Sequence, residues 1–384
     1  MANEALMRAQ TVIAVKETTS GTLAFPATDG SAVALLATDY AGINQDAPLQ
    51  DNPEIQDTRD VLDQLVDKRQ PGSWSIPLLL RPGGSLGSVP QDDVLWDCFM
   101  GTKTVNAGTS VVYAQAKNKD SFSLWVKKDH TIFFAKGCVV EQLGLALNRN
   151  GGVGLDWSGR FMWMGWAGET TADGAASESD TAITVADAKA FSVGARIENT
   201  TDEDDNSGEG YEVTAVDVST ETITISPAVP AGGWADGATL KGFLPSTTTV
   251  GSPVESRDTT IDFGSESSKA INSLSLTLND PVAFVDEITD CPEGYIEALR
   301  SLEASVGVYF RKADVPYFYD AYNDSTVAMT VNFGDTEGYQ LALALPYTSL
   351  SVPQVNPQAP AVMLNISCKG LGSSGEDSMS ATFT

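Results

Sequence analysis

The chain has 384 residues, with 23 Lys and Arg against 51 Asp and Glu, for a formal charge of -28. Hydrophobic residues make up 42% of it and charged residues 19%, too apolar for a disordered acidic tail and enough for several packed cores. The acid excess argues against a protein that grips nucleic acid, because phosphate affinity rests on Lys and Arg, and a single histidine, His130, excludes zinc sites with two or more His ligands.

In chain order, the N-terminus Met1-Ala2-Asn3-Glu4 has no basic stretch followed by an apolar one, and no apolar run approaches the roughly 20 residues of a membrane span. A soluble chain made in the cytoplasm, without membrane contact, is the expectation. A long acidic connection runs from Gly42 through Asp46, Asp51, Glu54, Asp57 and Asp60 to Gly72. A strand is expected over 73–81, with Pro77 suggesting a sheet edge. Pro90–Phe99 reads as a short helix, with Asp92 and Asp93 where a first turn favours acids. Strict alternation then predicts strands over 121–127, 131–147 and 153–163. Gly168–Ala176 has the composition of a linker, and short β-like runs follow at 181–186, 192–198, 211–217, 221–226 and 238–243. A second linker, Leu244–Pro253, leads to a strand at 271–278. Another acidic connection passes from Asn279 through Asp286, Glu287, Asp290 and Glu293 to Arg300. A strand at 302–311, a helix at 314–322 and strands at 326–333, 338–352 and 360–369 complete the chain.

The order of elements repeats. Leu95-Trp96-Asp97-Cys98-Phe99 aligns with Phe318-Tyr319-Asp320-Ala321-Tyr322, and each helix has a strand before it and three after it. Each half also opens with a strand and an acidic connection. This predicts a duplication of whole domains: a mainly β chain with two tandem modules, 1–167 (including an N-terminal arm) and 248–384, each a β-sandwich or barrel with one short helix. A small β-domain, 168–247, is inserted between them and holds fifteen acids against three bases.

Chemistry-bearing motifs are weak. Asp202-Glu203-Asp204-Asp205-Asn206 resembles part of a calcium loop, but Ser207 and Val213 stand where an EF-hand needs Gly and Glu, so a solvated turn is the better reading. Arg81-Pro82-Gly83-Gly84-Ser85-Leu86-Gly87 lacks the phosphate-loop lysine and reads as a turn. His130 is expected in an exposed hairpin turn, and Cys98, Cys138, Cys291 and Cys368, far apart and without C-x-x-C, read as buried thiols. The aromatic run Trp157 to Trp166 reads as core or subunit interface. No catalytic, metal or cofactor residue can be nominated, and an enzyme is not expected.

Two stretches carry a family resemblance: Gly137–Trp157, a long strand, a Gly-rich turn and a last strand, and Ile271–Asn279 with its acidic loop and Glu303–Phe310. Together they resemble the tail tube (major tail) proteins of long-tailed, non-contractile bacteriophages. The resemblance implies a structural virion protein of the viral tail that self-assembles into stacked rings, a homo-oligomeric conduit for DNA ejection. It implies contacts with itself, with a tape measure protein in the lumen, with tail terminator and tail tip proteins, and with phage DNA that passes without specific binding. The usual subunit has one tube fold and closes as a hexamer; two copies per chain suggest trimeric, pseudo-hexameric rings. Asp46, Asp51, Glu54, Asp57, Asp60, Asp286, Glu287, Asp290 and Glu293 are the candidate inter-ring loop residues, and acids are also expected to line the bore. The alternative is a carbohydrate-binding or adhesin-like virion surface protein, which would bind glycans and never stack.

Overall fold

Alternating patterning becomes antiparallel sheet along about half of the chain. The computed structural model describes all residues except 1–8, 55–59, 62, 148–150, 265, 270, 286, 288 and 359–360, so Asp57 and Asp286 lie outside the described residues. The first half contains β1 (Gln10–Lys16), β2 (Gly42–Asn44), β3 (Leu49–Asp51), β4 (Gln64–Val66), β5 (Gly72–Leu79), α1 (Asp93–Met100), β6 (Gly101–Asn106), β7 (Ser110–Gln115), β8 (Phe122–Lys128), β9 (Thr131–Leu147), β10 (Val153–Phe161) and β11 (Trp163–Ala167). The middle contains β12 (Glu169–Thr171), β13 (Ala182–Thr184), β14 (Arg196–Asn199), β15 (Tyr211–Asp217), β16 (Thr222–Ser226) and β17 (Thr239–Gly242). The second half contains β18 (Thr259–Phe263), β19 (Glu266–Lys269), β20 (Ser273–Asn279), β21 (Val282–Phe284), β22 (Tyr295–Glu297), β23 (Ser301–Tyr309), α2 (Pro316–Tyr322), β24 (Thr326–Phe333), β25 (Leu341–Leu350), β26 (Gln354–Gln358), β27 (Ala361–Gly370) and β28 (Ser380–Phe383).

Both expected helices form. α1 stops at Gly101, whose left-handed φ of 84° lets its N–H cap the Asp97 carbonyl. α2 begins on Pro316, where a missing N–H costs nothing. None of the described helices is long and apolar enough to cross a membrane.

One core spans both halves, with Trp74, Trp96, Phe122 and Trp157 in the same cluster as Leu276, Leu343 and Phe383. A second core fills the six-stranded sheet β12-β17-β14-β15-β16-β13 and reaches Ile13, Trp125, Ile132 and Phe134 on the back of β1, β8 and β9. β8 is therefore buried on both faces, Phe122, Leu124 and Val126 toward the first core and Trp125 toward the second. Three of the cysteine thiols, Cys98, Cys138 and Cys368, are buried and Cys291 is half-buried; all four are free.

Two local expectations are corrected. Gly168–Ala176 is not a plain linker, because Glu169–Thr171 pairs with Thr239–Lys241 in the six-stranded sheet. Pro77 lies on β5, which pairs with β10 on one side and β2 on the other. It is tolerated because β2 covers only Ser73–Ser75 and has ended by Pro77.

The strand pairings of the two halves follow one order. β1–β8, β2–β5, β3–β4, β5–β10 and β8–β9 in the first half have the same placement as β18–β24, β20–β23, β21–β22, β23–β27 and β24–β25 in the second. Irregularities recur as well. The β8–β9 register shifts between Phe122 and Leu124, and the β24–β25 register between Val327 and Met329. The β9–β10 ladder shifts at Ser158/Gly159, and β27 likewise changes register as its partner passes from β26 to β25. Among the described residues, only the first half has a hairpin, β6–β7, between its helix and the following strand.

Candidate assembly interface

The central feature is a continuous antiparallel run of eight strands, β2-β5-β10-β9-β20-β23-β27-β26. The two halves join inside it, where β20 lies along β9 with Leu278 opposite Leu143 and Leu276 opposite Leu145. One face of the run, through Leu145, Leu155, Leu276, Val306 and Ile366, packs into the core. The other is small and polar, with Ser275 opposite Ser305 and Ser305 opposite Ser367. The charged residues on that face, among the described residues, include Asp156, Glu303 and Lys369, and Arg160 with the Glu141 it pairs with, so acids slightly outnumber cations. β2 and β26 are the outer strands, with no strand on their far sides among the described residues.

Both acidic connections are hairpins that project from this sheet, tipped by β3–β4 and β21–β22. Asp46, Asp51, Glu54, Asp60, Glu287, Asp290 and Glu293 are all exposed. Asp51 accepts a bond from Gln64 Nε2 at 2.9 Å and the Asp46 carbonyl accepts from the Gln70 N–H, contacts that shape the first hairpin. The hairpins also touch each other. Lys68 Nζ donates to the Glu287 carbonyl at 3.0 Å, and the Arg69 N–H donates to the Asp290 carbonyl at 3.0 Å. The structure thus brings Glu287 and Asp290 beside the first hairpin through their main chains, while Asp51, Glu54 and Glu293 face outward.

Several residues of this surface were not singled out from the sequence. Leu49, Leu65, Val66, Ile296 and Leu299 are exposed on the hairpins, so the tips are part apolar; the signal was an aliphatic pair, Leu65-Val66, inside an acidic stretch. A buried ionic cluster at the base of the second hairpin was also missed. Lys119 Nζ pairs with Asp280 Oδ2 at 3.2 Å and donates to the Val140 and Asp280 carbonyls, and Arg300 Nε meets the same carboxylate at 3.0 Å. Burial pushes the Lys119 ammonium below its ordinary range, opposed by Asp280. Nearby, Arg160 makes a forked contact to Glu141 and donates to the Val282 carbonyl. These contacts tie the first half to the second hairpin at the internal junction.

Elsewhere the chemistry is structural. Asp204 accepts bonds from Tyr211 OH and Trp234 Nε1, so the acidic 202–206 stretch is anchored to the six-stranded unit. His130 sits exposed in the β8–β9 turn. In the aromatic run, Trp157, Phe161 and Met162 are buried and Trp166 is partly exposed.

A comparison with curated proteins finds no match. The family model described as phage tail tube protein matches residues 8–229, more than half of the chain, from before β1 to just past β16. Together with the strand-rich architecture, this match establishes that the chain belongs to the phage tail tube protein family.

Proposed function

We propose that the chain is a tail tube subunit built from two tandem tube modules, 1–167 and 248–384, with 168–247 as an outer decoration. Three chains close a pseudo-sixfold ring, and rings stack into the conduit through which DNA is ejected. The observation that carries this reading is the internal junction. Two halves with the same pairing order are joined edge to edge by β9 and β20, and the run they make ends in two open edges, β2 and β26. Open edges invite pairing. A head-to-tail contact that repeats the internal one closes a ring if its rotation closes, and closing the sheet into a barrel removes every edge.

The small, hydroxyl-rich face would then line the bore. There it meets the tape measure protein during assembly and phage DNA afterwards, without specific binding, and the end rings meet terminator and tip proteins. Asp46, Asp51, Glu54, Asp57, Asp60, Asp286, Glu287, Asp290 and Glu293, with the aliphatic tip residues beside them, would meet the next ring. Native mass and negative-stain microscopy of the purified chain test the reading. Rings of three chains are expected; rings of six would sink the tandem-module account, and a protein that binds glycans but never forms rings would favour an adhesin.

A further inference from the structure

Each half places a helix and the core side of its strand ends in the same positions, yet their exposure differs. By the shared register, Val355 stands where Leu143 does, Val362 where Leu155 does, and Phe310 where Leu78 does. On the helices, Tyr319 matches Trp96 and Tyr322 matches Phe99. Leu143, Leu155, Leu78, Trp96 and Phe99 are all buried. Val355, Val362 and Phe310 are exposed, and Tyr319 and Tyr322 are 69% and 75% exposed.

The cause is visible in the first half. Trp96 packs against Tyr113 of β7 at 6.0 Å and against Phe383 of β28 at 5.9 Å, so a hairpin and a strand from the other half cover α1. β20 covers the edge beside Leu143. The second half has no hairpin between α2 and β24, and no strand flanks β26 on its outer side among the described residues. An aliphatic and aromatic face with polar surroundings marks an interaction site.

We propose that this face is the docking surface for a second copy of the chain, resting on the tandem-module reading above. The first half of the second copy covers it, with its β2 segment laid along β26 as β20 lies along β9. Projecting the internal register sets Ala47 of one copy opposite Val355 of the next, where Leu278 meets Leu143 internally. The chemistry of the two junctions differs. Leu49 of the incoming chain, itself exposed, takes the position of Asp280, and Asp324 takes that of Lys119. The internal junction is sealed by a buried ionic cluster, and the junction between chains is sealed by apolar and aromatic contact.

The test uses the full chain carrying Tyr319→Ser and Tyr322→Ser. Both side chains are exposed, so the circular dichroism spectrum and melting temperature should match the wild type. Assembly, followed by light scattering and negative-stain microscopy, should need about tenfold or more higher protein concentration, since interface aromatics carry a large share of binding energy. Val218→Ser, an exposed change in the turn between β15 and β16, should assemble as the wild type does. In a second measurement, tyrosine nitration mapped by mass spectrometry should mark Tyr319 and Tyr322 in the unassembled chain and spare them in rings. Rings of the double variant at the wild-type concentration, or equal nitration in both states, would overturn the docking face and leave the ring reading standing. A wild-type chain that never assembles would overturn the ring reading and this face with it.

Discussion

Asp92 shows how a single residue reports on the core. It is buried at the start of α1, its Oδ2 accepts from Trp157 Nε1 at 3.0 Å, and its Oδ1 has no hydrogen-bond partner among the described residues. Desolvation, reinforced by the neighbouring Asp93, pushes its carboxyl up to about 7. In the unfolded chain it falls back to an ordinary carboxylate value. The native state therefore keeps a proton that the unfolded state has released. The contribution to stability is complete below the unfolded value, declines as pH rises toward 7, and is gone above it. Asp92→Asn keeps an acceptor for Trp157 and removes the titration. Relative to the wild type, the variant should gain on the order of 2–3 kcal/mol between about pH 5 and pH 8. Urea unfolding at both pH values measures this, and an equal difference at both would show that Asp92 does not hold its proton.

Strands show which parts of the fold were legible in the sequence. β9 was readable from end to end because its alternation is long, and α1 and α2 because Pro and paired acids mark their starts. The β6–β7 hairpin was not, because Thr102, Thr104 and Asn106 give it little apolar contrast. The pairing of β9 with β20 was not legible either. Alternation states which face is buried but not which neighbour lies alongside, and that neighbour is more than a hundred residues away. The acidic hairpins were found by composition, while their Leu and Val tips were hidden by the same acids. Nor did the sequence mark Gly159, which sits at the register shift of β10. A Cβ there would come 1.9 Å from the Val139 carbonyl oxygen, backbone that cannot yield. Gly159→Ala should destabilise the chain by about 3 kcal/mol or more. Gly154→Ala in the same strand, where the nearest atom would be 3.7 Å away, should cost about 1 kcal/mol or less. Denaturant melts of the pair measure the difference, and equal losses would show that strand propensity, not the bulge, sets the cost.

Charge is the property that belongs to the whole molecule. Of the 51 acids, many lie on the two hairpins and fifteen lie within 168–247, so the total of -28 says little about the charge of the proposed bore. The face proposed to line the bore carries Ser73, Ser75, Ser275, Thr277, Ser305 and Ser367, with few charged residues, of both signs. On this reading DNA passes a wall of short hydroxyls whose two cations each have an acid beside them, Arg160 paired with Glu141 and Lys369 opposite Glu303, and the remaining acids enter as a surrounding field screened over about 8–10 Å. Placing cations there is the direct test. Ser275, Ser305 and Ser367 are adjacent across three strands, so Ser275→Lys, Ser305→Lys and Ser367→Lys together set a basic patch on each repeat of the wall. The changes are on the solvent face and should leave ring formation intact. Each lysine that meets a phosphate releases a counterion, so retention should be strong at low salt and fall steeply as salt rises. Phage carrying the triple variant should eject DNA slowly and incompletely in low salt and recover toward the wild-type rate in high salt. Ejection at the wild-type rate in both conditions would mean that this face does not line the path of the DNA.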